Sequence, residues 1–370
     1  MEFKIGIVGP SRIGKTTLIS SILESSQELL AGESASIGYH DNITQKRINK
    51  FKNERNGYLM AGEFNPGGLE GTSESFHYNL KLSSNNSDSS NIKLSFMDYP
   101  GGWLTGDLTK WQKDCEPFLK ESHVLIIPVD AALLMSADTN KKRGMVSGLL
   151  SIAEIEDVAR IWAKERAISK TKALLLFLPV KCESYFSDNG GLTDNSDTLY
   201  SNVTTLYYKS IIETVKSEFK ENRELLNIVY SPIDTYGCLE IKETNWSNDN
   251  FEADYKLRQP NRINQKGADS ILISISKMII NLAKSKHEEN TKEKENEKDF
   301  HLNKMNKDEG IFMYFWNKFT GEEQRRKNNF DEANTHYMSA QEAKDATKEI
   351  LELFDDLSKK QYNERVREIG

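Results

Sequence analysis

The run Gly9-Pro10-Ser11-Arg12-Ile13-Gly14-Lys15-Thr16 matches G-x-x-x-x-G-K-[ST] in full. The spacing has a chemical reason. Glycines let main-chain N–H groups curl around a β-phosphate, and a lysine at this place reaches the β- and γ-phosphates. The Thr16 hydroxyl is a ligand for Mg²⁺, and the N-terminus of a following helix adds its dipole. An ordinary tight turn can carry the same letters. Here a short apolar strand (residues 3–8) precedes the run, and Leu18, Ile19, Ile22 and Leu23 follow it at helical spacing. Gly9, Ser11, Arg12, Ile13, Gly14, Lys15, Thr16 and Thr17 are therefore the expected contacts to a nucleotide.

A phosphate loop of this kind needs a second carboxylate for magnesium at the end of a neighbouring strand. Asp98 ends the alternating stretch Ile92, Leu94, Phe96 and opens Asp98-Tyr99-Pro100-Gly101. In this D-x-x-G pattern the carboxylate holds Mg²⁺ and the Gly101 N–H senses the γ-phosphate. A threonine before the preceding strand closes on the metal in such proteins. Thr72 stands in that place, with Thr44 and Ser73 as alternatives. The expected metal ligands are Thr16, Thr72 and Asp98, and Lys15, Thr72 and Arg12 are expected to act in catalysis.

These two motifs, with Gly102-Trp103-Leu104 continuing the second, resemble the YcjX-like branch of TRAFAC-class P-loop GTPases. That branch pairs a Ser-Arg-containing phosphate loop with a D-Y-P-G-E-W-L switch, and related GTPases occur in bacterial stress and conflict systems. The resemblance implies a GTP/GDP switch that uses Mg²⁺, not a metabolic kinase. Two departures matter. The branch's glutamate is Gly102 here, which has no side chain to orient an attacking water. Hydrolysis then needs another residue or a partner, or is slow. Arg12, Arg47 and Arg55 are the candidate positive charges, each set against a solvated or structural role.

The base motif also departs. GTPases carry N-K-x-D after a buried strand, and here Val180-Lys181-Cys182-Glu183 follows Leu174–Pro179. Lys181 can lay its methylenes on a purine. Glu183 can accept from guanine N1–H and N2–H₂, one methylene further out than aspartate. Val180 loses the amide that ties this loop to the phosphate loop, so ATP remains an alternative to GTP. Ser231–Thr235 follows the last expected strand, where a backbone amide meets guanine O6 in such folds.

The elements that must position these residues read as an α/β fold. Buried strands are expected over 124–129, 173–178 and 228–230, and an antiparallel pair over 76–82 and 92–98. Helices are expected over 148–167, 204–219 and 265–285. Strands alternating with helices give a mostly parallel, G-domain-like sheet covered on both faces. Composition shifts near residue 285. The spacing thus divides the chain into a nucleotide domain over 1–285 and a charged linker with a helical extension over 286–370. Ile350, Leu351, Leu353, Phe354 and Leu357 fall at helical spacing in that extension. The aromatic run Ile311–Phe319 reads as core, as a docking surface for a partner or second copy, or as a membrane-surface segment.

Composition narrows the function further. The 370 residues carry 49 Lys and Arg against 56 Asp and Glu, a net charge of −7, which does not suit general nucleic-acid binding. No apolar run is long enough to span a membrane, and the start of the chain lacks the pattern of a secretory signal. Cys115, Cys182 and Cys238 form neither a disulfide framework nor a zinc spacing, which fits a reducing cytoplasm. The expected partner is another protein or a second copy of the chain. The competing readings are a nucleotide-binding scaffold with little turnover and an ATPase.

Overall fold

The computed structural model describes residues 2–11, 13–62, 64, 75–84, 91–99, 111–247, 250–259, 262–281 and 349–370. Ten strands lie among them: β1 (Glu2–Ile7), β2 (Ala35–Tyr39), β3 (Phe76–Ser84), β4 (Asn91–Asp98) and β5 (Val124–Asp130), then β6 (Ala173–Val180), β7 (Leu226–Tyr230), β8 (Leu239–Ser247), β9 (Asn250–Leu257) and β10 (Arg367–Glu368). Eight form one sheet in the order β10-β7-β6-β5-β1-β4-β3-β2. The pairs β4–β1, β1–β5, β5–β6 and β6–β7 are parallel, while β2, β3 and β10 run antiparallel at the two edges.

The central strands are apolar on both faces because both faces are covered. Along β6, Leu174, Leu176 and Leu178 enter one core and Ala173, Leu175 and Phe177 the other. One core packs α1 (Lys15–Leu29) and a helix over 269–281 against the sheet through Leu18, Ile22, Ile271 and Ile275. The opposite core is built from the helices Ile152–Ile168 and Lys209–Glu218, with Trp162 fully buried and its indole N–H donating to the Ser122 carbonyl at 2.8 Å. Buried side chains of this kind each contribute about 1.5–3 kcal/mol.

Several elements differ from expectation. The polar stretch after α1 holds strand β2, which gave no signal, and a twenty-residue helix, α2 (Asn42–Ala61), where Ile43, Ile48 and Phe51 suggest one face of a charged helix. Ile48 and Phe51 are buried but Ile43 is exposed, and Asp41 caps the helix by accepting from Thr44 N–H at 2.7 Å. The helix expected over 148–167 is two helices, Asn140–Leu149 and Ile152–Ile168, broken where Ser151 takes φ 52°. The helix expected over 204–219 begins with a π-turn, Asn202–Tyr207. The hairpin β8–β9 gave no signal, because its strands are half-exposed and charged.

Beyond the expected boundary at residue 285, the chain's last described residues return to the sheet. The helix over 349–359 places Ile350, Leu353, Phe354 and Leu357 in the same core as α1, and β10 closes the sheet beside β7. The aromatic run at 311–319 lies outside the described residues. All three cysteines are buried and free. No helix among the described residues is long and apolar enough to cross a membrane.

Candidate functional site

Strand β1 feeds the glycine-rich loop directly, and the Val8 N–H still donates to the Ile126 carbonyl at 2.9 Å. Gly9 sits close to β5, where a Cβ would lie a tight 3.2 Å from Pro128 Cγ. Gly14 sits at φ +100°, a left-handed conformation that glycine adopts without strain. Ile13 is buried and pins the loop to the core, while Ser11 is exposed. Unlike α2, helix α1 starts with no side-chain cap, so its first N–H groups face the loop. Lys15 Nζ donates to the carbonyls of Gly9 (3.0 Å) and Pro10 (3.1 Å) and lies 3.7 Å from Asp98 Oδ1. Burial pushes its ammonium pKa below the ordinary value, and Asp98 opposes that shift.

The sheet itself brings the carboxylate to the loop. Ile7 pairs with Asp98 in the parallel β1–β4 register, so the two strand ends are neighbours. Tyr99, fully buried, fixes the start of the second motif through its N–H to the Ile7 carbonyl (3.4 Å) and its hydroxyl to the Cys115 carbonyl (3.4 Å). Thr16 Oγ1 lies 3.2 Å from the Tyr78 hydroxyl of β3. Burial raises the Tyr78 phenol, while its bonds to Thr16 and Arg47 act the other way. A hydroxyl and a carboxylate beside a phosphate loop suit Mg²⁺, which takes few protein ligands and completes its shell with phosphate oxygens and water. The described residues hold no cluster of three or more His, Cys, Asp or Glu able to bind a metal without such help.

The structure separates the candidate arginines. The Arg47 guanidinium lies 4.0 Å from the Phe76 ring centroid and 5.7 Å from that of Tyr78, on the Thr16 side. Arg55 is a fork on Glu24, with bonds of 2.9 and 3.0 Å, and is buried. It ties α2 to α1 through these bonds. Thr44 is likewise committed, its hydroxyl accepting from Asn79 N–H at 3.0 Å. Thr72, Ser73, Arg12, Gly101 and Gly102 lie outside the described residues.

Opposite the phosphate loop, β6 ends at Val180 and turns through Lys181, a non-glycine residue at φ 57°. Lys181 Nζ lies 5.5 Å from the Tyr255 ring centroid. Glu183 is 1% exposed. Its Oε1 accepts from the N–H groups of Tyr236 and Gly237, both at 2.9 Å, while Oε2 has no hydrogen-bond partner among the described residues. One oxygen therefore braces a loop, while the other is buried and unpartnered among the described residues. The segment that meets Glu183, 236–237, directly follows Ser231–Thr235. Burial and the nearby Asp234 raise the Glu183 carboxyl, against the pull of the two N–H groups.

Residues without a sequence signal complete the site. Tyr236 joins its two halves, because its side chain bonds Thr17 and its N–H bonds Glu183. Gly237 at φ +74° can only be glycine, since a Cβ would fall 1.7 Å from the Asn264 carbonyl. Arg365 pairs with Asp188 and Asp234. No motif could have found these, because each depends on a partner far away in the chain. Tyr78 was visible only as one apolar residue of an alternating strand.

Strand, glycine-rich loop, helix and the carboxylate of the adjacent parallel strand define a P-loop G-domain within an α/β sheet. Residues 4–174 match the family described as double-GTPase 2 (DO-GTPase2), which fits the YcjX-like resemblance of the two motifs and supports a GTP-binding GTPase. The match covers the glycine-rich loop and Asp98 and ends before Lys181 and Glu183. No curated protein matches the chain.

Proposed function

We propose that this chain is a Mg²⁺-dependent, GTP-hydrolysing switch that alters a protein–protein contact in the cytoplasm. The observation that carries the reading is the placement of Lys15, whose ammonium lies against the carbonyls of Gly9 and Pro10 and 3.7 Å from Asp98. One cation thereby joins the phosphate cradle to the metal carboxylate. Thr16, Asp98 and Thr72 would hold the metal, which neutralises charge on the β- and γ-phosphates when bound. The loop N–H groups and Lys15 grip the phosphates. Lys181 lies along the purine, and Glu183 Oε2 accepts from its Watson–Crick edge. Thr72 and Gly101 sense the γ-phosphate and carry the change of state to the surface.

Gly102 cannot orient a water, so turnover is slow or relies on a positive charge. Arg47, beside Tyr78 and Thr16, is the candidate whose surroundings support that role. Gly102 equally favours a second reading, a nucleotide-binding scaffold that barely turns over. A role in bacterial stress or antiviral defence follows the resemblance alone. Phosphate release from GTP and from ATP, by the unaltered chain and Lys15→Ala, tests the reading. GTP-dependent release lost in the variant is expected. Faster release from ATP would replace GTPase with ATPase, and none from either, with GTP still bound, would leave the scaffold.

A further inference from the structure

The base-side loops are held from behind by the end of the chain. The guanidinium of Arg365 is buried and touches two segments. Its Nε donates to Asp188 Oδ2 (2.9 Å), and its Nη2 donates to Asp188 Oδ1 and to Asp234 Oδ2 (2.8 Å). Its face lies 4.2 Å from the centroid of Phe186. Asp188 and Phe186 belong to the segment that leaves Glu183, and Asp234 to the loop that ends on Tyr236 and Gly237. One planar fork thus clips together the two strand-end loops between which Glu183 is bonded.

The clip has further anchors. Asn189 Nδ2 donates to Asp234 Oδ2 at 2.8 Å and Lys266 Nζ pairs with Asp188 at 2.8 Å. The main chain of Asp234 exchanges two bonds with Lys266. The backbone carrying Arg365 is fixed by Asn363 donating to Ser270 Oγ (3.1 Å) and by β10 on β7. Arg365 also sets a cation among carboxylates, where Glu183 and Asp234 are both buried. Without it, the two acidic loops would lose their shared counter-ion and the geometry that holds Glu183 between them.

We infer that Arg365 is a positioning residue for nucleoside recognition: the C-terminal segment, through this one guanidinium, sets how tightly the base half of a nucleotide is held and acts far less on the phosphate half. The inference rests on the nucleotide reading above and deepens it, since it assigns the final residues a part in the same site.

The test uses the full chain and two probes, GDP and inorganic tripolyphosphate, titrated by calorimetry into the unaltered protein, Arg365→Gln, Arg365→Lys and Asp188→Asn. Arg365→Gln should weaken GDP about tenfold or more and change tripolyphosphate by less than about twofold. Arg365→Lys should recover part of the loss, since it restores charge but not the fork. If Arg365→Gln does not fold, Asp188→Asn decides. It removes one partner on the solvent side and should weaken GDP about threefold, again with tripolyphosphate unchanged. Parallel loss of both probes, or GDP affinity unchanged in folded variants, overturns the inference. Equal affinity for GDP and ADP in the unaltered chain would remove the guanine reading but leave this comparison intact, because the ratio sets a nucleoside against bare phosphate. An unaltered chain that binds neither GDP nor tripolyphosphate would sink both.

Discussion

The two halves of the site are built in opposite ways. The phosphate half is nearly local: one strand end, one loop and one helix start, all within residues 8–17, with Asp98 supplied by the next strand in register. Its key group is a cation, Lys15. The base half gathers residues 181–183, 186–188, 234–237, 264–266 and 365 from across the chain, and its buried key groups, Glu183 and Asp234, are acids. A contiguous loop with main-chain donors tolerates much change elsewhere in the chain. A site clipped together by side chains from distant segments depends on each of them, so the base half should be the easier to lose selectively.

That contrast breaks first at Lys15. Lys15→Ala removes a buried cation with two or more charge-assisted contacts, so GTP and tripolyphosphate should weaken together by at least about 100-fold; calorimetry that separates the two would refute a common phosphate grip. Phe354→Ala probes whether the C-terminal helix is integral to the nucleotide domain. A fully buried Phe in the core shared with α1 should cost about 3–5 kcal/mol in urea unfolding. An unchanged midpoint would detach that helix from the fold. Glu183→Gln turns an acceptor toward the base into an amide. GTP preference over ATP should fall about 10- to 100-fold while tripolyphosphate binding persists, and preserved selectivity would move base reading elsewhere.

Arg47 and Arg55 make an internal control. Arg47→Ala should lower kcat at least about tenfold with KM little altered, whereas Arg55→Ala should act on stability and leave kcat in place; a phosphate-release assay distinguishes them. The smallest effect concerns pH. The Glu183 carboxyl is pushed up from 4.5 to about 7 by burial and by Asp234. Only its ionised form is a pure acceptor, so GTP affinity should climb across roughly pH 6 to 8, and Glu183→Gln should flatten that rise. For the fold the sign is opposite. The native state holds this proton more tightly than the unfolded chain, so the contribution of Glu183 is most favourable at low pH and declines as pH rises through about 7.

How much could be read from sequence follows the same division. Gly9, Gly14, Lys15, Thr16 and Asp98 were legible because a local rule ties each to its neighbours, and the alternation of apolar strands with helices conveyed the sheet. Arg365, Gly237 and Tyr236 were not, because their roles arise only when segments distant in the chain meet: Tyr236 with Thr17 and Glu183, Gly237 with Asn264, and Arg365 with Asp188 and Asp234. Glu183 was legible as an acceptor but not as a brace for Tyr236 and Gly237. The hairpin β8–β9 stayed hidden behind its charged surface, and β10 is too short to carry a pattern. The helix over 349–359 was visible, yet its place in the core was not, since periodicity states which face is apolar and not what it meets.

The central claim is that the Gly9–Thr17 loop grips the phosphates of a guanine nucleotide whose base rests at Lys181 and Glu183. A crystal structure of the full chain with a non-hydrolysable GTP analogue and Mg²⁺ tests it most directly. The account predicts the β-phosphate within hydrogen-bond reach of the loop N–H groups, the metal beside Thr16 and Asp98, and the guanine edge at Glu183 Oε2. A triphosphate bound outside the loop, or a base directed away from Lys181, would contradict it.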